Sequence, residues 1–197
     1  MDVDPAHGSV QSALRVPYLE GTISSSRVFS GRVIKVDVDQ VRLPSGRESI
    51  REKVVHPGAV AIVAIDRNMI LMERQYRHTA RKTLWEIPAG TMEEGETPEA
   101  CARRELAEET GYTAELMERL AHFYIAPGYS TEVMYLFLAQ RLAPSKRNPD
   151  VDEEIETAFL PIPQVLEMVR RGEIEDAKTI IGALYLEAFR PELRAWV

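Results

Sequence analysis

The stretch from Thr97 to Gly111 constrains this chain more than any other, because it carries both ends of a helix. Thr97 has the short oxygen-bearing side chain that accepts from an orphan N–H at a helix start, and Pro98 suits the first helical position, where no N–H is needed. Gly111 enters the left-handed region freely, a common way of ending a helix. A helix is therefore predicted from about Pro98 to Thr110. Its last two turns hold Glu105, Glu108 and Glu109. Residues three and four apart share a helix face, so the three carboxylates crowd together. A helix C-terminus also carries partial negative charge, which disfavours each carboxylate there by roughly 0.3–1 kcal/mol. Two arrangements resolve the conflict. Either the acidic face is solvated, with Arg103 and Arg104 relieving part of the repulsion, or the carboxylates hold a hard cation, which takes oxygen ligands.

Strands surround this helix. Upstream, Arg27–Phe29, Gly31–Leu43 and Ser49–Val55 read as strands, the last two joined by a hairpin turn at Leu43-Pro44-Ser45-Gly46-Arg47. Ala59–Ile65 is a short apolar run and reads as a buried strand, with Met69–Gln75 as its partner and Trp85–Pro88 as a further extended piece. Downstream, strands are predicted at Glu118–Tyr124, Val133–Gln140 and Glu156–Pro161, and helices at Pro163–Arg171 and Asp176–Arg190. The order predicts an α/β (α+β) sandwich. Residues 1–12 are expected to be a disordered tail, 13–55 an N-terminal β-sheet region and 56–197 the main domain.

Composition narrows the class. The 197 residues are 45% apolar, enough for a core without disulfides, and Cys101 is the single cysteine. A net charge of −7 argues against a nucleic-acid binder, which needs a basic footprint. No apolar run approaches a membrane span, and the acidic start has no signal-peptide pattern. A cytoplasmic protein with no nucleic-acid or membrane partner is the expectation.

Gly90, Glu96, then Arg104-Glu105-Leu106-Ala107-Glu108-Glu109-Thr110-Gly111-Tyr112 resembles the Nudix box. Each fixed position of that motif is filled, and Tyr112 stands in a slot more often aliphatic. The resemblance implies a Nudix fold, a mixed β-sheet sandwiched between helices. It implies hydrolysis of a nucleoside diphosphate linked to another moiety, with Mg²⁺ as cofactor and Mn²⁺ as the alternative ion. By position it makes Glu105 and Glu109 the core metal ligands and Glu108 an additional one. Arg104 would orient the carboxylates, Glu96 would brace the loop or join the outer metal shell, and the Ala89 carbonyl would complete the site.

Further stretches resemble the ADP-ribose pyrophosphatase subfamily: Arg74-Gln75-Tyr76-Arg77, Trp85-Glu86-Ile87-Pro88-Ala89-Gly90, a proline 15 residues beyond Tyr112 (Pro127), and the acidic run Asp152-Glu153-Glu154-Ile155-Glu156. This likeness implies ADP-ribose as substrate, AMP and ribose 5-phosphate as products, and Glu153 as the general base, with Glu154 second. Arg77 would contact the diphosphate, and Glu86 and Pro127 belong to the substrate-binding set. Arg51 would reach the adenosine from the N-terminal sheet, with Arg32 or Phe29 at the position where relatives place an aromatic against adenine. In relatives that sheet swaps across a homodimer. The alternatives are a GDP-mannose or other nucleotide-sugar pyrophosphatase and, in another class, a non-catalytic module that senses ADP-ribose. Such modules commonly lose a box glutamate, and here the box is complete.

Overall fold

The computed structural model describes residues 19–148 and 154–194. The chain divides into two compact units between His56 and Pro57.

In the first unit, β1 (Gly21–Ser30), β2 (Lys35–Arg42) and β3 (Glu48–Val55) form an antiparallel sheet in that order. The β2–β3 turn is closed by Leu43 and Arg47, with Gly46 at φ 83°. The buried members of β2 are Asp37, Asp39 and Val41, while Val36 and Val38 are half-buried. Two buried carboxylates persist because cations meet them. Arg27 pairs with Asp37, and Lys53 reaches Asp39 at 2.7 Å. Those hydrogen bonds hold both aspartates below their ordinary range. Every residue of β1 is exposed, Val28 and Phe29 among them.

The second unit is built on β4 (Ala59–Asp66), buried at all but its last residue. Alternation sends Ala59, Ala61, Val63 and Ile65 into one core and Val60, Ile62 and Ala64 into another, on opposite faces of the sheet. β4 pairs in parallel with β9 (Val133–Pro144), which in turn pairs with β8 (Tyr112–Tyr124). On its other side β4 meets β5 (Met69–Arg77) only at Ile65↔Ile70 and Asp66↔Met69. Beyond that point the two strands part. The later half of β5 pairs with β6 (Lys82–Glu86), and the first half of β4 pairs with β7 (Ala89–Thr91). The chain crosses between them through Ile87-Pro88, where the Ile62 N–H donates to the Pro88 carbonyl at 2.8 Å. The far edge of β5 carries β10 (Ile155–Pro161).

Helix α1 (Pro98–Thr110) covers the Val60/Ile62 face with Cys101, Ala102 and Leu106. Helices α2 (Ile162–Arg170) and α3 (Ala177–Phe189) cover the other, where Ala183 and Leu186 join the Val63 core. A methyl on Gly182 would lie 2.8 Å from Val63, so glycine is what lets α3 approach β4 this closely. A short 3₁₀ turn, Pro191–Arg194, follows α3. The layers are helix, mixed sheet, helices, as the element order predicts. Among the described residues, no helix is long and apolar enough to cross a membrane.

Candidate active site

The site grows from the end of α1. The Thr97 hydroxyl accepts from the Ala100 N–H, and Gly111 ends the helix at φ 75° with its N–H on the Ala107 carbonyl. Leu106, Cys101 and Ala102 are fully buried, which turns Glu105 and Glu109 toward β7. Glu109 is 4% exposed, and its carboxylate accepts from the Ala89 N–H at 3.1 Å. Glu105 lies against Gly90: a methyl there would come within 1.9 Å of its carboxyl carbon. Gly90 is thus required by a neighbour rather than by its own backbone, since it is not among the positive-φ glycines.

Arg104 resolves the crowding of charge. Its Nε and Nη2 each meet one oxygen of Glu96 at 3.0 Å, and its Nη1 bonds Glu105 at 2.8 Å and Glu108 at 3.0 Å. Those bonds, Glu96 first, raise the guanidinium pKa, and Arg104 holds Glu96 at about 2. Relief also comes from a residue the sequence reading did not single out. Arg147 donates to the Glu109 carbonyl at 2.6 Å and the Ile155 carbonyl at 2.5 Å, and the Asn148 N–H takes the Glu108 carbonyl at 3.1 Å. Orphan carbonyls at the α1 terminus are satisfied, and a cation faces the negative end of the helix dipole. No local motif marks Arg147, which is 38 residues from Glu109.

Among the described residues, no three acidic, histidine or cysteine side chains converge as a preformed cation cage. The donors still suit a hard divalent ion. They are oxygens only, carried on one helix and one strand, and the missing side chain of Gly90 leaves Glu105 its place.

A second cluster lies on β5 and β6. Both oxygens of Glu86 bond Arg77, at 2.8 and 2.7 Å, and Lys178 at the start of α3 also donates to it. Glu86 is 2% exposed. Burial pushes its pKa up, but Arg77 and Lys178 bring it below the ordinary value. Glu86 in turn raises Arg77, to which Glu109 adds, so the two clusters sense each other. The guanidinium binds Glu86 through Nε and Nη2, and 40% of the Arg77 side chain is exposed.

The other expected residues are spread more widely. Glu154 lines a cleft of about 360 Å³ with Arg74, Tyr76, Thr83, Ile155 and Glu156, and Arg74 lies over the Trp85 ring at 5.4 Å. Glu153 falls outside the described residues. Pro127 sits in the turn after β8, where the Tyr129 and Ser130 N–H groups donate to the Ala126 carbonyl. Arg51 and Arg32 belong to the N-terminal unit. Arg51 is bonded to Glu20, Ser49 and the Ile50 carbonyl, and Arg32 stands in the turn between β1 and β2. Besides Arg147, the sequence reading missed Lys178 and Glu73, whose surroundings are assembled by sheet pairing and by α3.

Comparison with known proteins follows this division. The NUDIX domain model matches residues 55–181, and the model of the nucleoside diphosphate sugar hydrolase N-terminal domain matches 20–54. The ADP-ribose pyrophosphatase of Bacillus subtilis (strain 168) is 44% identical over 171 residues, covering 85% of this chain and 92% of that protein. The methanol dehydrogenase activator of Bacillus methanolicus is 43% identical with the same coverage. The GDP-mannose pyrophosphatase of Cronobacter sakazakii is more distant, 32% identical over 89% of this chain and 96% of that protein. A crystal structure of an ADP compounds hydrolase superposes with a TM-score of 0.80 at 22% identity, covering 89% of this chain and 97% of that one, a likeness of fold.

Proposed function

The chain belongs to the Nudix family, and on that footing we propose that it is a pyrophosphohydrolase cleaving ADP-ribose to AMP and ribose 5-phosphate. The observation that carries the catalytic reading is the meeting of Glu105 and Glu109 with the Gly90 and Ala89 backbone. The choice of substrate is supported by the higher identity to an ADP-ribose pyrophosphatase than to a GDP-mannose pyrophosphatase.

In this reading Glu105, Glu108 and Glu109, with the Ala89 carbonyl and Glu96 behind them, hold Mg²⁺, or Mn²⁺ as the alternative. Such an ion neutralises phosphate charge and makes a water easier to deprotonate. The chain's own residues do the rest. Arg104 keeps the carboxylates apart and oriented. Arg77 binds the diphosphate through the guanidinium edge that Glu86 does not occupy, so Glu86 acts by fixing Arg77. Glu153, or Glu154 as second choice, accepts the proton of the attacking water. Arg51 serves the adenosine, Arg32 or Phe29 stands at the adenine position, and Pro127 belongs to the substrate-binding set. We assign the protein to the cytoplasm and to a homodimer with swapped N-terminal sheets. The exposed apolar residues of β1 support the dimer.

One assay separates the readings. The protein is incubated with Mg²⁺ and, in parallel, ADP-ribose, GDP-mannose, FAD and dGTP, and products are resolved by chromatography. AMP and ribose 5-phosphate from ADP-ribose at the highest kcat/KM is the expected result. Preferential cleavage of GDP-mannose would replace the substrate. ADP-ribose bound without AMP release would make the protein a sensor.

A further inference from the structure

Glu73 is a buried carboxyl for which neither the box nor the mechanism has a use. It lies on β5 directly opposite Glu86 of β6, two positions past the core residue Leu71 and on the same face of the sheet. It is 3% exposed, and its Oε1 is buried with no hydrogen-bond partner among the described residues. Directly opposed side chains of neighbouring strands stand about 5 Å apart at Cβ. Among the described residues the neighbouring cations are engaged elsewhere: Arg77 gives Nε and Nη2 to Glu86, and Lys178 bonds Glu86 and Asp176. Arg147, before β10, is committed to the Glu109 and Ile155 carbonyls. From β10 the residue opposite Glu73 is Thr157, which does not ionise. From α1, Glu109 faces Arg77 and adds negative charge to the cluster. A negative Glu73 would thus be a desolvated charge beside a like charge, the arrangement that keeps a carboxyl protonated.

We propose that Glu73 is a positioning residue that works as an uncharged carboxylic acid, leaving Glu86 as the anion that Arg77 and Lys178 share. Burial, reinforced by Glu86 and opposed by Lys178, Arg147 and Arg77, pushes its pKa up to about 8. Loss of its proton to hydroxide in mildly alkaline solution sets a second anion beside Glu86. The two then compete for Lys178 and Arg77, and the guanidinium is drawn away from the diphosphate. The device rests on the assignment of Arg77 to the diphosphate.

Glu73→Gln keeps the size and the donor of the protonated acid but cannot ionise. Near pH 7 its kcat/KM for ADP-ribose should match that of the unaltered enzyme within about threefold. Above pH 8 the ratio of variant to unaltered kcat/KM should climb, up to tenfold per pH unit, because only the unaltered enzyme loses its arrangement. Infrared difference spectra supply a readout apart from turnover: a protonated-carboxyl C=O band at pH 7, titrating near pH 8 and missing from Glu73→Gln. A flat activity ratio from pH 6 to 10, or a band already absent at pH 7, overturns the proposal. If ADP-ribose is not cleaved at any pH, the substrate reading fails, and the infrared band still decides whether Glu73 is uncharged.

Discussion

Replacing Gly90 by alanine moves one carboxylate and little else. Gly90 does not need a positive φ, so alanine fits its backbone. The new Cβ would fall 1.9 Å from Cδ, 2.0 Å from Oε1 and 2.4 Å from Oε2 of Glu105. Carbon atoms settle at about 3.5 Å, so the carboxyl must retreat by about 1.5 Å. What must move is the end of a flexible side chain, at a cost of about 0.5–1.5 kcal/mol for an off-rotamer torsion. Glycine-to-alanine replacement returns about 0.4–1 kcal/mol by stiffening the unfolded chain. Stability measured by urea should therefore change by less than about 1 kcal/mol. Turnover should not be spared, because displacing a catalytic group by about 1 Å costs about a hundredfold. The expected result is a hundredfold fall in kcat for AMP release from ADP-ribose, about 2.7 kcal/mol of barrier, on an intact fold. A Gly90→Ala enzyme that keeps more than about a tenth of the rate, within about 1.4 kcal/mol, would show that Glu105 does not act from the place it holds beside Gly90.

Glu109→Gln keeps an oxygen for the Ala89 N–H but removes the charge, so kcat should fall more than about a hundredfold with the melting temperature little changed; retention of about a tenth would remove its role as a ligand. Glu153→Gln should lower kcat more than it raises KM, and an unchanged kcat would move the base to Glu154. Arg147→Ala removes two bonds from a cation to backbone carbonyls and should cost about 2 kcal/mol in urea unfolding, whereas a loss below about 0.5 kcal/mol would make those bonds incidental. Glu73 also predicts how stability depends on pH. Folded, its pKa is about 8 against an ordinary 4.5, so the folded state keeps a proton that the unfolded state has released. Its contribution is largest below pH 4.5, declines by about 1.4 kcal/mol per pH unit as pH rises toward 8, and is level above that. Relative to Glu73→Gln, the unaltered protein should thus lose roughly 3–5 kcal/mol between pH 4.5 and 8, and parallel stability curves would refute the raised pKa.

Much of this arrangement was legible where the determinants are local. Thr97, Pro98 and Gly111 delimit α1 to the residue, because caps act within a few positions. The unbroken apolar run Ala59–Ile65 marks a strand buried on both faces. Less was legible where pairing rather than side-chain pattern makes the strand. β1 is predicted over three residues but runs from Gly21 to Ser30, since Ser24, Ser25 and Ser26 offer no apolar alternation and are held by β2. β8 begins at Tyr112 rather than Glu118, and a bulge between Arg119 and Ala121 breaks its periodicity. Three-residue β7 carries almost no pattern, yet it presents the backbone against which the glutamates lie. In the site, Gly90, Arg104 and Glu105 are close in sequence and fall together. Lys178 lies 92 residues from Glu86, and only folding brings such partners face to face.

The parting of β4 from β5 also decides where this chain tolerates added length. The His78–Arg81 turn at the open end of β5 and β6 is wholly exposed and its Arg81 N–H donates to the His78 carbonyl, so a peptide tag or dye linker spliced between Thr79 and Ala80 would hang in water. The crossing at Ile87-Pro88 is buried and joined to Ile62. One extra residue there would slide Ala89 and Gly90 out of step with α1, so a reporter belongs in the first loop and never in the second.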